Sequence, residues 1–262
     1  MTSPFTRARD RLALRRGALH ERGLQDDYQR GIGRPELDRW FVDRHGPAVL
    51  HGPFAGLRYP AATVARGHHL TAKLLGAYEQ ELAEIVAAQV ERQSRLFVDI
   101  GSAEGYYAVG FALASPPTEV HAYEIDPVAR RALRALARAN RASGRVKLHG
   151  PANARRLAAY DLDGAFVLSD CEGAELDVLD GPAIPALAGA TLLVELHPHG
   201  DGDTGPPLRE RFAATHTATE IAPQDRDPAA HRELDDAPAE LREHAVDEFR
   251  FGRTSWLLLE PR

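Results

Sequence analysis

The stretch from Leu96 to Tyr107 constrains the fold of this chain more than any other. It begins with an apolar run, Leu96 to Ile100, passes through Gly101-Ser-Ala-Glu-Gly105 and continues as a helical pattern from Tyr106 to Ala114. This order predicts a buried parallel strand, a tight turn and a helix N-terminus. The two glycines allow the backbone to bend sharply and a ligand to come close, and the free N–H groups of the first helical turn suit an anion.

Asp99 stands at the carboxyl end of this strand, where open α/β sheets bind their ligands. A dinucleotide fingerprint needs G-x-G-x-x-G, which this turn lacks. Counted from the acid, the pattern is D-x-G-x-A-x-G, and it resembles motif I of class I S-adenosylmethionine-dependent methyltransferases, with Ala103 where the family usually has glycine. An ordinary strand–helix turn is the alternative. The resemblance implies S-adenosylmethionine as the cofactor, with contacts from Asp99, Gly101, Ser102, Ala103, Gly105 and Tyr106.

Glu124 ends the second predicted strand, 19 residues after Gly105. An acid there can accept two hydrogen bonds from a ribose diol, and the position resembles motif II of the same methyltransferases. The alternative role is support of the next helix, for which Asp126 is a good N-cap. We expect Glu124 to bind the ribose hydroxyls, with Ile125 beside it. In the family the loop after the third strand lies beside the adenine, so we expect Asn153 to reach the adenine edge.

A second informative run, Asp170-Cys-Glu-Gly-Ala-Glu175, follows the fourth predicted strand. It resembles the D-x-E-G-A-E signature of FkbM-type methyltransferases, a branch that mostly methylates hydroxyl oxygens. Cys171 stands where that branch usually has valine. The resemblance covers roughly residues 71–197. It implies methyl transfer to oxygen, and we expect Asp170 to serve both the cofactor site and catalysis.

The resemblance implies an α/β fold of the Rossmann-like methyltransferase type, a seven-stranded, mostly parallel sheet with helices on both faces. A helix over Thr71–Arg92, capped by Thr71, is predicted before the first strand. Ser255–Glu260 is predicted as the last strand, antiparallel beside the fifth, with Glu248–Phe251 as its candidate partner. We expect residues 1–69 to form a helical extension, as a lid or an oligomer contact, and residues 70–262 to form the methyltransferase domain.

The ends of the first, fourth and fifth strands share one crevice in this sheet order. The polar residues at these ends are therefore predicted to converge there: Asp99, Asp170, Glu172, Glu195 and His197. Methyl transfer to oxygen needs an in-line geometry and a base that removes a proton. His197 is the first candidate for this base and Asp170 or Glu172 the second, although a backbone carbonyl could instead satisfy His197. A divalent ion on Asp170, Glu195 and His197 is a further option that no dense ligand motif supports.

Composition limits the partners of this 262-residue chain. A net charge of −6 argues against a general nucleic-acid binder, and no apolar run reaches membrane-spanning length. The single cysteine, Cys171, fits a reducing cytoplasm. We therefore expect a cytoplasmic protein with a small-molecule acceptor, without nucleic-acid or membrane partners, and with a homodimer as one option. Residues 1–44 are predicted to form solvated helices, in preference to a nucleic-acid-binding arm, with Trp40, Phe41 and Val42 docking them on the main domain. Residues 223–248, with nine acids against three arginines, are predicted to form a mobile acidic loop.

The leading hypothesis is thus a methyltransferase that acts on an oxygen of a small molecule or a glycosylated metabolite. Methylation of nitrogen, in a small molecule or a protein side chain, is the alternative among enzymes on this scaffold. A non-catalytic cofactor-binding protein is an alternative of a different class. A nicotinamide-dependent dehydrogenase is disfavoured, because the turn after the first strand has the wrong glycine spacing.

Overall fold

The computed structural model of the protein describes residues 33–61, 69–199, 202–248 and 254–262. The strands are β1 (Leu96–Ile100), β2 (Glu119–Tyr123), β3 (Val146–His149), β4 (Phe166–Ser169), β5 (Thr191–Glu195), β6 (Pro198–His199), β7 (Gly202–Asp203), β8 (His216–Ile221) and β9 (Trp256–Pro261). The α-helices in these ranges are α1 (Arg34–His45), α2 (Leu70–Leu75), α3 (Ala83–Arg92), α4 (Tyr106–Ala114), α5 (Pro127–Ala139), α6 (Ala154–Leu157), α7 (Glu175–Val178), α8 (Gly205–Phe212) and α9 (Ala239–Arg242).

The main sheet has seven strands in the order β3-β2-β1-β4-β5-β9-β8. The first five strands along the chain pair in parallel, whereas β9 is antiparallel to both of its neighbours, β5 and β8. The predicted Rossmann-like methyltransferase fold is thereby confirmed, including the antiparallel last strand beside the fifth. The strands β5 and β8 pair with the two edges of β9. Three of the four residues predicted to pair with the last strand, in the segment Glu248–Phe251, lie outside the described residues.

Two apolar clusters cover the two faces of the sheet. Phe97 of β1 packs in the cluster that includes residues of α1, α2, α4 and α5. Val98 and Ile100 pack in the other cluster, together with residues of α6, α7 and α8. Because helices cover both faces, β1 is buried along its whole length, which explains why its sequence is a nearly continuous apolar run.

The predicted continuous helix over Thr71–Arg92 is wrong. It is divided into α2 and α3 by a turn and a 3₁₀ segment, Gln80–Leu82. Gly76 ends α2 with φ +78°, and a Cβ at this position would lie 2.3 Å from the carbonyl oxygen of His51. The close approach of the segment around His51 to this glycine therefore interrupts a helix that the apolar periodicity alone would join.

Helix α1 is docked on the domain through Phe41, as predicted, and Phe41 is fully buried in the main core. Arg34 departs from the solvated basic face predicted for this helix, because it is only 1% exposed. Asp38 accepts hydrogen bonds from the backbone N–H and the hydroxyl of Thr71, at 2.9 and 2.5 Å. Thr71 therefore lies within the first turn of α2 and does not cap it. The N-cap of α2 is His69. The rest of the predicted basic extension, residues 1–32, lies outside the described residues.

The predicted mobile acidic loop, residues 223–248, is docked on the domain. Leu234 is fully buried in the main core, although most of the acids of the segment point to solvent. Arg226 forms ion pairs with Glu81 at 2.6 Å and with Glu248 at 2.8 Å, and all three side chains are at most 10% exposed. Buried anchors spaced along the segment therefore hold it in place, whereas its average composition indicates disorder. Among the helices that the structure describes, none combines the length and the apolar character that crossing a bilayer requires.

Candidate functional site

The strand register brings the predicted site residues together at one edge of the sheet. The last residues of β1, β2 and β4 are in register with one another. The residues that follow them, Gly101, Glu124 and Asp170, therefore emerge side by side. The register of β4 with β5 adds Glu195 next to Asp170. This is the carboxyl edge of the parallel strands, where ligands of open α/β sheets bind.

A small pocket opens at this edge. The described residues that line it are Lys73, Tyr78, Asp99, Gly101, Ser102, Ala103, Glu104, Tyr106, Tyr107, Leu168 and Asp170. Four further residues predicted to contact the cofactor lie outside this lining: Gly105, Glu124, Ile125 and Asn153. The glycine turn and one catalytic candidate, Asp170, thus share one cavity.

The glycine turn is held against the end of β2. The backbone N–H groups of Gly101 and Ser102 both donate to the carbonyl oxygen of Tyr123, at 2.9 and 3.0 Å. Gly101 has φ +88°, and a Cβ there would lie 1.6 Å from the carbonyl oxygen of Asp170. Only glycine fits at this position, because both its backbone angle and the neighbouring chain exclude a side chain. Gly105, with φ +98°, is the N-cap of α4.

Glu124 braces the turn from the end of β2. Its Oε2 accepts a hydrogen bond from the backbone N–H of Ala103 at 2.9 Å, and its Oε1 accepts one from that of Asp126 at 2.7 Å. The side chain is buried, with 3% of the residue exposed. Ala103 has φ +44°, an uncommon angle for a residue with a side chain, and the bond to Glu124 helps to hold it. The alternative predicted for Glu124, support of the next helix, is therefore present, and its ribose contact stays a prediction.

Other predicted cofactor residues have distinct surroundings. Asp99 is 1% exposed, and its Oδ2 has no hydrogen-bond partner among the described residues. Burial and the charge of Glu124 raise the pKa of Asp99 well above its usual range. Ile125 is 47% exposed, which is unusual for a large apolar side chain in this protein. Asn153 caps α6 by accepting a hydrogen bond from the backbone N–H of Arg156 at 3.1 Å.

An imidazole surrounded by acids adjoins the pocket. Nδ1 of His197 lies 2.9 Å from Oε1 of Glu175, and its Nε2 lies 3.3 Å from Oε2 of Glu195. The same Nε2 lies 3.6 Å from carboxylate oxygens of both Asp170 and Glu172. The predicted convergence of residues from the ends of β4 and β5 is thus observed, with Glu175 as an additional member.

These contacts decide the protonation of His197. Burial opposes a positive charge, but the hydrogen bonds to Glu175 and Glu195 and the charge of Asp170 raise the pKa of His197 to about 11. Burial raises the pKa of Glu175, but the contact and charge of His197 together with backbone N–H groups outweigh it and lower that pKa. In this arrangement His197 is an imidazolium near neutral pH. It can donate hydrogen bonds and stabilise negative charge, but it has no lone pair for a substrate proton.

Asp170 is the acid of this cluster that faces the pocket. Burial and the neighbouring Glu195 raise the pKa of Asp170 well above its usual range, so its carboxylate becomes a stronger base than an ordinary aspartate. Glu172 is not part of the pocket lining. Burial also raises the pKa of the Cys171 thiol, which keeps it protonated and disfavours it as a nucleophile.

The same cluster bears on the predicted option of a divalent ion. Asp170, Glu172 and His197 each offer a ligand atom, and these atoms lie within 4.8 Å of one another. The predicted set had Glu195 in place of Glu172. Oxygen and imidazole donors of this kind can hold a divalent ion. In the arrangement described here, His197 faces acids through both ring nitrogens and neutralises part of their charge instead.

Two residues without a predicted role, Lys73 and Glu104, form an ion pair at the wall of the pocket. Nζ of Lys73 lies 2.5 Å from Oε1 of Glu104. The Lys73 position falls within the predicted helix before β1, but only the apolar residues of that helix were assigned a role. A buried charge among apolar neighbours is the signal that could have marked Lys73, since lysine is almost never fully buried without a partner.

No protein-family model matches the chain, and no curated protein matches it. Similar solved structures include the O-methyltransferase TomG from Streptomyces achromogenes in complex with S-adenosylmethionine. It is 15% identical, with a TM-score of 0.46 over 70% of this chain and 79% of that one. The O-methyltransferase from Bacillus cereus in complex with S-adenosylhomocysteine is 13% identical, with a TM-score of 0.45 over 70% of this chain and 80% of that one. At these identities and scores, we argue function from the residues of this chain.

Proposed function

We propose that this protein is an S-adenosylmethionine-dependent methyltransferase that acts on an oxygen of a small-molecule or glycosylated acceptor. One observation carries the proposal. A glycine turn braced by an acid on the next strand forms one wall of a pocket whose other wall is a carboxylate of an acid–imidazole cluster. The first wall suits a cofactor with a ribose, and the second suits proton removal from an acceptor.

The chain's own residues fit the cofactor. Gly101 lets the turn pack directly on the backbone of Asp170, where a side chain would clash, and so brings the two walls of the pocket together. Glu124 adjoins this turn through Ala103 and has the hydrogen-bonding capacity for a ribose diol once its present backbone contacts open. The exposed side chain of Ile125, next in sequence, offers an apolar surface for an adenine face. The buried Oδ2 of Asp99 would gain a partner from a cationic group of the cofactor.

Asp170 is the residue best placed to accept the acceptor's proton, because it lines the pocket and His197 does not. The bound cofactor would supply an electrophilic methyl group on a sulfonium sulfur. Asp170 would orient the acceptor hydroxyl towards that methyl group and would take up the hydroxyl proton. His197, fixed by Glu175, would hold Asp170 in place and stabilise its charge. His197 is thus proposed as a positioning residue.

The FkbM-like branch is part of the proposal. It is supported by the run from Asp170 to Glu175, in which the described side chains of Asp170, Glu172 and Glu175 all approach His197. This branch favours a hydroxyl acceptor over nitrogen. The acidic site and the net charge of −6 favour a small molecule over a nucleic acid. We propose a cytoplasmic location because the chain has a single cysteine, which fits a reducing compartment. A measurement of molecular mass in solution tests whether the protein is a homodimer.

Thermal unfolding with and without ligand tests the proposal. S-adenosylmethionine and S-adenosylhomocysteine would be compared with NAD at matched concentrations. A ligand at about 100 times its dissociation constant adds roughly 2.7 kcal/mol, which for a chain of this size raises the midpoint by roughly 5–10 °C. We expect this shift with the two sulfur ligands and none with NAD. A shift with NAD alone would contradict the proposal, and no shift with any ligand would favour a scaffold that has lost its cofactor.

A positive result leads to a screen for the acceptor. Purified protein, S-adenosylmethionine and pools of hydroxylated and glycosylated metabolites would be assayed for S-adenosylhomocysteine release, with amine acceptors in parallel. Each pool would be assayed with added magnesium and with a chelator, because three donor atoms of the site lie within 4.8 Å of one another. Turnover confined to amines would replace the oxygen acceptor with nitrogen.

A further inference from the structure

Lys73 is a buried cation at the cofactor wall of the pocket. It belongs to α2, its side chain is 5% exposed, and its Nζ pairs with Oε1 of Glu104 at 2.5 Å. Nζ also lies 4.6 Å from the ring centroid of Tyr78 and 5.7 Å from that of Tyr106. Among the described residues that line the pocket, Lys73 supplies the positive charge, whereas the negative charges belong to acids.

The burial of this ion pair calls for an explanation other than stability. The cost of removing two charges from water often exceeds their attraction, so that a buried pair is frequently no more stabilising than apolar residues of similar size. Lys73 and Glu104 lie on different elements, α2 and the glycine turn, and meet at the wall of a cavity. A charge pair in such a position is suited to exchange partners with a ligand that carries both charges.

We propose that Lys73 and Glu104 bind the α-amino-acid end of S-adenosylmethionine, with Lys73 holding its α-carboxylate. This inference rests on the proposed function and adds the residues that recognise one end of the cofactor. The α-ammonium group would bind the carboxylate of Glu104 and the buried Oδ2 of Asp99, which has no hydrogen-bond partner among the described residues. Tyr59 donates to Glu104 at 3.2 Å and would keep that carboxylate in position during the exchange.

Charge balance makes this exchange selective. A zwitterion brings one positive and one negative group, so every charge that loses a partner when the Lys73–Glu104 pair opens gains a new one. A ligand without the amino-acid end, such as 5′-methylthioadenosine, has no charged groups that could pair with Lys73 and Glu104. The ion pair between these two residues therefore stays intact when that ligand binds. NAD carries no α-amino acid either, so the same pair would discriminate against it. Lys73 is therefore expected to set affinity for the complete cofactor and not for its nucleoside part.

The test compares two ligands by calorimetry: S-adenosylhomocysteine and 5′-methylthioadenosine. In Lys73→Met we expect affinity for S-adenosylhomocysteine to fall about 10- to 100-fold, the usual cost of a lost charged hydrogen bond, and affinity for 5′-methylthioadenosine to stay unchanged. Lys73→Arg should restore part of the loss. Lys147→Met is the matched control, because Lys147 also pairs with a glutamate but is 57% exposed and remote from the pocket lining.

Lys73→Met leaves Glu104 without its lysine and could unfold the protein. The double variant Lys73→Met/Glu104→Gln removes both charges, so that the lost lysine leaves no charged partner behind. Its thermal unfolding midpoint without ligand, compared with that of wild type, shows whether it folds. The same selective loss is expected there. An equal loss of affinity for both ligands, or no loss for either, would overturn the role of Lys73. In that case binding of S-adenosylhomocysteine by the wild-type protein would still support the proposed cofactor. A wild-type protein that binds neither ligand would overturn the cofactor proposal and this inference with it.

Discussion

Nδ1 of His197 lies 2.9 Å from Oε1 of Glu175, whose side chain is completely buried. The same carboxylate oxygen accepts hydrogen bonds from the backbone N–H groups of Cys171 and Gly173, both at 3.2 Å. Glu175 therefore ties the loop after β4 to the residue that follows the end of β5. An imidazole fixed in this way keeps its proton and holds the neighbouring carboxylates, of which Asp170 faces the pocket.

The first prediction concerns the pH dependence of stability. The pKa of His197 is about 11 in the folded protein and roughly 6.5 in the unfolded chain. A raised folded-state pKa gives stability that is complete below the unfolded value and is lost as the pH rises towards the folded value. The free energy of unfolding of wild type should therefore fall relative to that of His197→Gln between about pH 6.5 and 11. The slope of this fall is at most about 1.4 kcal/mol per pH unit. Urea unfolding of both proteins across this range measures the difference, and a constant difference would contradict the assignment.

A second prediction separates the base from its positioning residue. If Asp170 accepts the acceptor's proton, Asp170→Asn should lower kcat by about 10²- to 10⁴-fold and remove the rise of kcat with pH. His197→Gln should keep that rise but shift it to higher pH, because the imidazolium lowers the pKa of Asp170. Cofactor affinity should change little in His197→Gln. The opposite pattern, in which His197→Gln abolishes the rise and Asp170→Asn retains it, would make His197 the base.

The third prediction concerns the glycine turn. Gly101→Ala introduces a Cβ 1.6 Å from the carbonyl oxygen of Asp170 at φ +88°. We expect it to destabilise the protein by more than about 2 kcal/mol and to abolish the ligand-induced thermal shift. Gly144→Ala is the control, since a Cβ there meets nothing within 4 Å, and its effect should stay within about 1 kcal/mol. Equal stability of the two variants in chemical denaturation would show that the turn can move away from β4.

The fourth prediction concerns Glu124. Glu124→Ala should weaken binding of S-adenosylhomocysteine by about 1–3 kcal/mol, the cost of losing hydrogen bonds to a charged group. Asp126→Ala serves as the control because it removes the cap of α5, a hydrogen bond to Val128 at 2.9 Å, without touching the glycine turn. That variant should lose about 1 kcal/mol of stability and retain its cofactor affinity in calorimetry. Unchanged affinity in Glu124→Ala would leave this acid as a brace for Ala103 alone.

The fold could be predicted from the sequence where the deciding interactions are local. The apolar run of β1, the glycine turn and the acid after β2 follow from residues that are neighbours in the chain, and Asp126 with Pro127 starts α5 as expected. The sheet order follows from the family resemblance, and from it the convergence of Asp170 and Glu195. The strand, the turn and the start of α5 depend on the backbone requirements of each residue type, which the sequence states directly.

The remaining features depend on contacts between distant parts of the chain. The break after α2 arises because Gly76 packs against His51, and no periodicity of the helix itself records that contact. The role proposed for Lys73 depends on its ion pair with Glu104, which lies 31 residues away in the chain. The outer edge of β9 pairs with β8, which precedes it by a long stretch of chain. Each outcome is decided by packing that local propensity does not encode.

The last prediction concerns the segment 223–248. Arg226 lies between Glu81 and Glu248, with exposed side-chain fractions of 10%, 2% and 3%, respectively. Arg226→Met removes a buried ion pair from each of these two carboxylates and should lower the free energy of unfolding by about 3–5 kcal/mol. Arg209→Met is the matched control, because Arg209 pairs with Glu220 at the surface and exposed pairs contribute about 0–1 kcal/mol.

Because Glu248 also accepts a hydrogen bond from the backbone N–H of Glu79 at 2.6 Å, loss of Arg226 should also release the segment from the pocket side of the protein. Limited proteolysis should then cut Arg226→Met within residues 223–248 earlier than wild type. Tyr107 donates to Glu79 and lines the pocket, so cofactor affinity should fall together with protection. A variant with wild-type stability and wild-type protection would mean that the buried apolar anchors, Leu234 among them, hold the segment without the ion pairs.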